Sequence, residues 1–135
     1  MDWFAKAFLK SALAWLALGV ILGAGMTLQP AWLVYRPAHL HMNLLGFVFM
    51  MIAGVAYHVI PRFTGHPLFS RRLATVHWWL ANGGLVGLTA GFLLMAAGRG
   101  YAAALGTGGV LSAVAALCFV VNIWGTIDGR VMRKK

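Results

Sequence analysis

Acidic side chains are almost missing from this sequence: Asp2 and Asp128 are the full complement, set against 11 lysines and arginines. A soluble domain of 135 residues needs charge at about a quarter of its positions to cover its surface, yet only 10% of this chain is charged and 61% is apolar. That shortage excludes a cytosolic enzyme, and the high hydropathy excludes a disordered tail. Neither carboxylate lies inside a long apolar run, so a paired-carboxylate hydrolase or a carboxylate proton relay has no acid to use. Cysteine is just as scarce. Cys118 stands alone and cannot form an internal disulfide, which removes the small disulfide scaffolds. No Ser-His-Asp or Cys-His set with an orienting acid is legible, and linkers, repeats and low-complexity stretches are lacking too.

What the chain does have is long uncharged runs, at 11–35, 37–61, 73–98 and 100–127. Each is long enough to cross a hydrocarbon core of about 30 Å, which takes roughly 20 helical residues. The reading is an all-α membrane protein, one domain over 1–135, with spans at about 3–28, 37–60, 73–97 and 101–126. Gln29 and Pro30 end the first span, and Trp32 and Tyr35 fall where an aromatic belt belongs. An even number of spans puts both termini and the middle loop on one side. That side carries Lys6, Lys10, Arg62, Arg71, Arg72, Arg130, Arg133, Lys134 and Lys135, against Arg36 and Arg99 on the other. By the positive-inside rule both termini are cytoplasmic. The net charge of +9 therefore reports orientation, with anionic lipid as its partner rather than nucleic acid. Lys6 and Lys10 before an apolar run also suit a signal peptide, but the run exceeds the usual core of about 7–15 residues and reads as a retained helix.

Within the spans the polar residues are few. Gly83, Gly87 and Gly91 on the third, and Gly19 and Gly23 on the first, form small-residue stripes suited to close helix approach. Asn43, Asn82 and Asn122 suit interhelical hydrogen bonds. Chemistry falls to histidine. His39 and His41 open the second span and, two residues apart on a helix, point about 200° from each other. A neutral imidazole is a good ligand for haem iron, copper or zinc; the alternative is a pair hydrogen-bonded at the water interface. Arg36, one turn outside, either binds anionic groups such as haem propionates or snorkels to the interface. His58 and His77 are candidate ligands for a second cofactor or, on the plainer reading, interfacial histidines near Tyr57, Trp78 and Trp79; His66 lies in a loop. Met42, Met50, Met51 and Met95 read as packing residues rather than thioether ligands.

These residues carry a resemblance. The stretch RPAHLHMNLLGFVFMMIAGVAYHVIPR, from Arg36 to Arg62, resembles the haem-bearing helices of the haem-copper oxidase superfamily, above all subunit I of cbb3-type oxidases and of bacterial nitric oxide reductases. Its motif elements are His39-x-His41 followed by Asn43, Gly46, and Tyr57-His58-x-x-Pro61-Arg62. RRLATVHWWLANGGLVG, from Arg71 to Gly87, resembles the helix that follows there. The resemblance implies that His39 and His41 ligate haem near the outer face. It also implies a limit, because the catalytic subunit of that family has twelve spans in three arcs of four, and the helices that bind its copper have no counterpart here. A single copy is one third of such a subunit and is no complete proton-pumping oxidase; a homotrimer would restore twelve spans.

The resulting expectation is a haem b protein of the bacterial inner (cytoplasmic) membrane that binds or detoxifies nitric oxide or another diatomic gas, in the manner of NnrS-type nitric oxide-associated proteins, or passes electrons from a quinol or a respiratory redox partner. Copper is the less favoured cofactor. The alternative is a cofactor-free or copper-handling membrane protein that assists assembly of a respiratory oxidase or reductase. Whether the chain is itself an enzyme, and which residues would be catalytic, the sequence leaves open.

Overall fold

The computed structural model describes residues 1–130, so Arg133, Lys134 and Lys135 of the charge balance lie outside the described residues. Four helices are long and apolar enough to cross a membrane: Trp3–Leu28, Pro30–Thr64, Arg71–Ala96 and Ala102–Ile127. Among the described residues there is no strand. The chain is an all-α multi-pass membrane protein, and its exposed faces of leucine, valine and isoleucine contact the bilayer.

Local chemistry sets the breaks. Gln29 adopts an extended conformation after Leu28, and Pro30 then opens a short 3₁₀ turn. Gly65, at φ +70°, ends the second helix in the left-handed region that a side chain disfavours. Ser70 starts the third helix by accepting a hydrogen bond from the Leu73 N–H at 3.2 Å. The second helix is composite. It passes from the 3₁₀ turn Pro30–Tyr35 through an α-helical turn, Arg36–His41, into a π-helix, Met42–Phe49, and finishes as α-helix over Met50–Thr64. A physical cause stands at its start: the Asn43 side-chain amide donates to the His39 carbonyl at 2.9 Å, competing for the acceptor of the regular α-helical bond. Such widened turns collect at functional sites.

The buried core lies toward the end where the chain starts. Phe4 and Phe8 of the first helix, Met50 and Tyr57 of the second, and His77 and Leu85 of the third are all buried there. Polar groups tie the first helix to the third, with Trp15 donating to Asn82 at 3.3 Å and Trp78 to Ser11 at 3.2 Å. Glycine seams do the rest. A Cβ on Gly84 would lie 2.7 Å from the Ser112 backbone nitrogen, and one on Gly87 would lie 2.9 Å from Gly108 Cα, so the third and fourth helices meet nearly backbone to backbone. The seam runs through Gly84, Gly87 and Gly91; Gly83 faces open space and is not part of it, contrary to the expected stripe. A helix of 3.6 residues per turn drifts off a strict four-residue spacing, which is why the i, i+3, i+7 set wins.

The start of the chain, the end of the last described helix and the middle loop share one end of the bundle. Asp2 pairs with Arg71 at 2.5 Å, and the Phe69 N–H donates to Thr126 Oγ1 at 3.0 Å. Asn122, fully buried, clamps the loop from both sides: its Oδ1 accepts from the Ser70 N–H and its Nδ2 donates to the Ser70 carbonyl, each at 2.9 Å. Asn122→Ala leaves both groups of Ser70 short of a partner, and a loss of about 2 kcal/mol is expected. Reversible unfolding in mixed micelles measures it; a loss below about 0.5 kcal/mol, the level of a neutral surface change, would mean that the clamp contributes nothing.

Candidate functional site

The opposite end of the bundle carries the two histidines that open the second helix. His39 turns to the first helix, where its Nδ1 donates to the Gly19 carbonyl at 2.8 Å. His41 turns to the third, its ring 4.8 Å from that of Phe92, and its Nδ1 donates to the Pro37 carbonyl at 2.8 Å. The two rings thus diverge, as the two-residue spacing requires. A carbonyl oxygen can only accept, so in both residues these bonds place the proton on Nδ1 and leave Nε2 with its lone pair. The Asn43 amide nitrogen donates to the His39 carbonyl at 2.9 Å; it also lies 3.3 Å from His39 Nδ1, but with the proton on Nδ1 both groups are donors and this approach is packing rather than a hydrogen bond.

Glycine makes the room. A Cβ on Gly23 would come within 2.8 Å of His39 Cε1, and one on Gly19 within 2.9 Å of Asn43 Oδ1. The stripe on the first helix is therefore a cradle for His39 and Asn43 of the second. Gly23→Ala is expected to push the His39 ring away from the Gly19 carbonyl. In ¹⁵N-histidine NMR this appears as loss of the hydrogen-bonded Nδ1 proton; an unchanged signal would show that the ring tolerates the methyl group.

The remaining candidates are placed differently. Arg36 is exposed one turn before His39, free to reach anionic groups beyond the helix end. His58 and His77 do not form a pair. The Arg62 guanidinium bonds to both Nδ1 and the carbonyl of His58, all on one helix. His77 instead meets Tyr57, whose hydroxyl lies 2.9 Å from its Nδ1. His77 is fully buried, against the expectation of an interfacial position, and the rings of Phe8, Phe119, Tyr57 and Phe49 surround it at 4.5, 5.5, 5.8 and 5.9 Å. Those rings leave no open face for a planar macrocycle. Its Nε2 is buried without a hydrogen-bond partner. His66 sits in the loop 3.3 Å from the Thr126 carbonyl. Met42 and Met50 are buried as packing residues. No group of three or more His, Cys, Asp and Glu side chains gathers among the described residues.

Sequence reasoning placed His77 near Tyr57 at the interface but missed that the two form a buried pair. Its signal was the 20-residue separation across a short loop, which folds two helices back so that residues at equal depth meet. It could not show which residue at that depth, Tyr57 or His58, faces inward.

Fold and site together define a small polytopic membrane protein with a divergent pair of carbonyl-anchored imidazoles at one end of a single span. The chain belongs to the family described as cytochrome c and quinol oxidase polypeptide I, which it matches over residues 4–135. It is thereby a relative of the haem-copper oxidase subunit I proteins, a haem-binding family. No curated protein and no solved structure matches the chain.

Proposed function

We propose that this protein is a haem b protein of the bacterial inner membrane, with both termini cytoplasmic, that binds or detoxifies nitric oxide or a similar diatomic gas. The observation that carries the reading is the state of His39 and His41: each has Nδ1 held by a backbone carbonyl and Nε2 left free. These donors suit haem, because iron takes a neutral imidazole through one nitrogen while a carbonyl or carboxylate holds the other and fixes the tautomer. Haem held by these residues would supply gas binding or one-electron transfer. His39 and His41 present the ligand atoms, Gly19 and Pro37 orient them, and Arg36 offers its guanidinium to the propionates. The buried Tyr57–His77 end holds the helices rather than a second haem.

Because the two imidazoles diverge, one chain offers a single ligand on each face of the second helix. A second copy then supplies what each face lacks, and three copies assemble the twelve helices of a full oxidase-type subunit. A monomeric or dimeric mass of the detergent-purified protein would rule the trimer out. The function is tested by one optical series on pure protein produced with haem supplied: oxidised, reduced, and reduced with nitric oxide or carbon monoxide. A Soret band that shifts with the gas is expected. Colourless protein would overturn the reading.

A further inference from the structure

The second helix carries its two histidines out of phase with a plain α-helix. His39 stands 18 residues before Tyr57, which in an unbroken α-helix is about five whole turns. It would then share the face with which Tyr57 meets His77 on the third helix. His41, 16 residues before Tyr57, would lie about 160° round, on the side away from the third helix. The structure shows the reverse. His41 packs its ring against Phe92 of the third helix, and His39 reaches the Gly19 carbonyl of the first. Between the pair and Tyr57 lies the π-helix Met42–Phe49, eight residues long. Its bonds run from i to i+5, so each residue turns through only roughly 80–85° and the segment falls short of α-helical phase by roughly 120–160°. That shortfall accounts for the reversal. It brings His41 round to the third helix and carries His39, in the same sense, to the side of Gly54, where the second helix packs on Leu9 and Ala5 of the first.

A π-helix mostly occurs as a single turn, so one of this length needs support from outside its own backbone. Asn43 supplies it at the histidine end. Its amide donates to the His39 carbonyl at 2.9 Å, and it fits between the helices because residue 19 is glycine, where a Cβ would lie 2.5 Å from Asn43 Nδ2. Gly46 supplies it within the segment, since a Cβ there would meet Trp15 Cβ at 2.6 Å and Leu85 Cδ2 at 2.9 Å. We propose that this π-helix is the element that aims the site, with Asn43 as its positioning residue: the extra length it absorbs turns His41 to the third helix and His39 to the first. The aim of the two rings stands by itself; its use in presenting ligand nitrogens rests on the haem reading above.

The test uses the full chain in lipid bilayers, with labelled histidine, phenylalanine, tyrosine and glycine, and reads three contacts by solid-state NMR. They are His41–Phe92, His39–Gly19 and, as the measure of folding, Tyr57–His77. A π turn holds about one residue more than an α turn, so removing one residue lets the segment wind as α-helix with the rings left where they are. Deletion of the exposed Leu44 is therefore expected to keep all three contacts, with deletion of the exposed Val48 as the second variant should the first not fold. Deletion of Val55, also exposed but in the regular α-helix beyond, is expected to break either His41–Phe92 or Tyr57–His77. Asn43→Leu is expected to lose the His41–Phe92 contact, and deletion of Leu44 in that variant to restore it. Loss of His41–Phe92 in both the Leu44 and Val48 deletions, or all contacts kept on deleting Val55, would overturn the aiming role of the π-helix. Unchanged contacts in Asn43→Leu would overturn the role of Asn43. In protein produced with haem, the Leu44 deletion is expected to keep the Soret band that Asn43→Leu weakens. Absence of that band from the unsubstituted protein would instead defeat the haem reading, while the three contacts would still decide what aims the rings.

Discussion

Produced with haem supplied, the His39→Ala and His41→Ala proteins are each expected to lose Soret absorbance, and the double variant to be colourless. The magnitude follows from comparison. Removing a group that only orients a metal ligand typically weakens binding about 10–100-fold, and removing the ligand itself costs more than that. The two single variants also separate two arrangements. Since His39 turns to the first helix and His41 to the third, haems on separate faces lose absorbance independently, each variant keeping the other's share. One haem shared across a copy boundary loses its low-spin spectrum in either variant. His66→Ala is the control: its imidazole lies in the loop at the far end, and the spectrum should not change. An intact Soret band in both His39→Ala and His41→Ala would remove these residues as ligands.

The second large effect is on stability. Gly84→Leu and Gly108→Leu are each expected to lose about 3 kcal/mol or more, because the new side chain meets backbone rather than a side chain that can rotate away. A Cβ at Gly84 would stand 2.7 Å from the Ser112 nitrogen and 3.0 Å from the Gly108 carbonyl; one at Gly108 would run into the backbone of Gly84, Gly87 and Leu88. The neighbouring glycines make the comparison sharp. A Cβ at Gly83 or Gly109 would meet nothing within 4 Å, so leucine there should be neutral or gain up to about 1 kcal/mol from helix propensity. Reversible unfolding of all four variants in mixed micelles reads the contrast. Equal losses at Gly83 and Gly84 would show that the seam lies elsewhere.

The glycines show where legibility in the sequence stopped. That small residues on the third helix mark a close contact could be read from spacing, but not which of two adjacent glycines bears it, since that depends on the rotation of the helix against its neighbour. His39 and His41 were legible as candidates because residues two apart on any helix diverge. The carbonyl that sets the His39 tautomer was not, since Gly19 lies on another helix, and hydropathy does not reveal the π-helix that follows the pair. Tyr57 and His58 are adjacent, and only packing decided that Tyr57 turns inward to His77 while His58 stays with Arg62.

By itself the sequence determined that this is a four-helix membrane protein with its basic residues gathered at one end, because long uncharged runs have no stable place in water and lysine or arginine has none in hydrocarbon. It also made imidazole the candidate site chemistry, since no carboxylate lies within the spans. Only the tertiary structure decided which imidazoles are anchored with a free nitrogen and which one is sealed among aromatic rings. Those outcomes depend on how helices rotate and approach one another, and that is set by contacts between residues far apart in the chain.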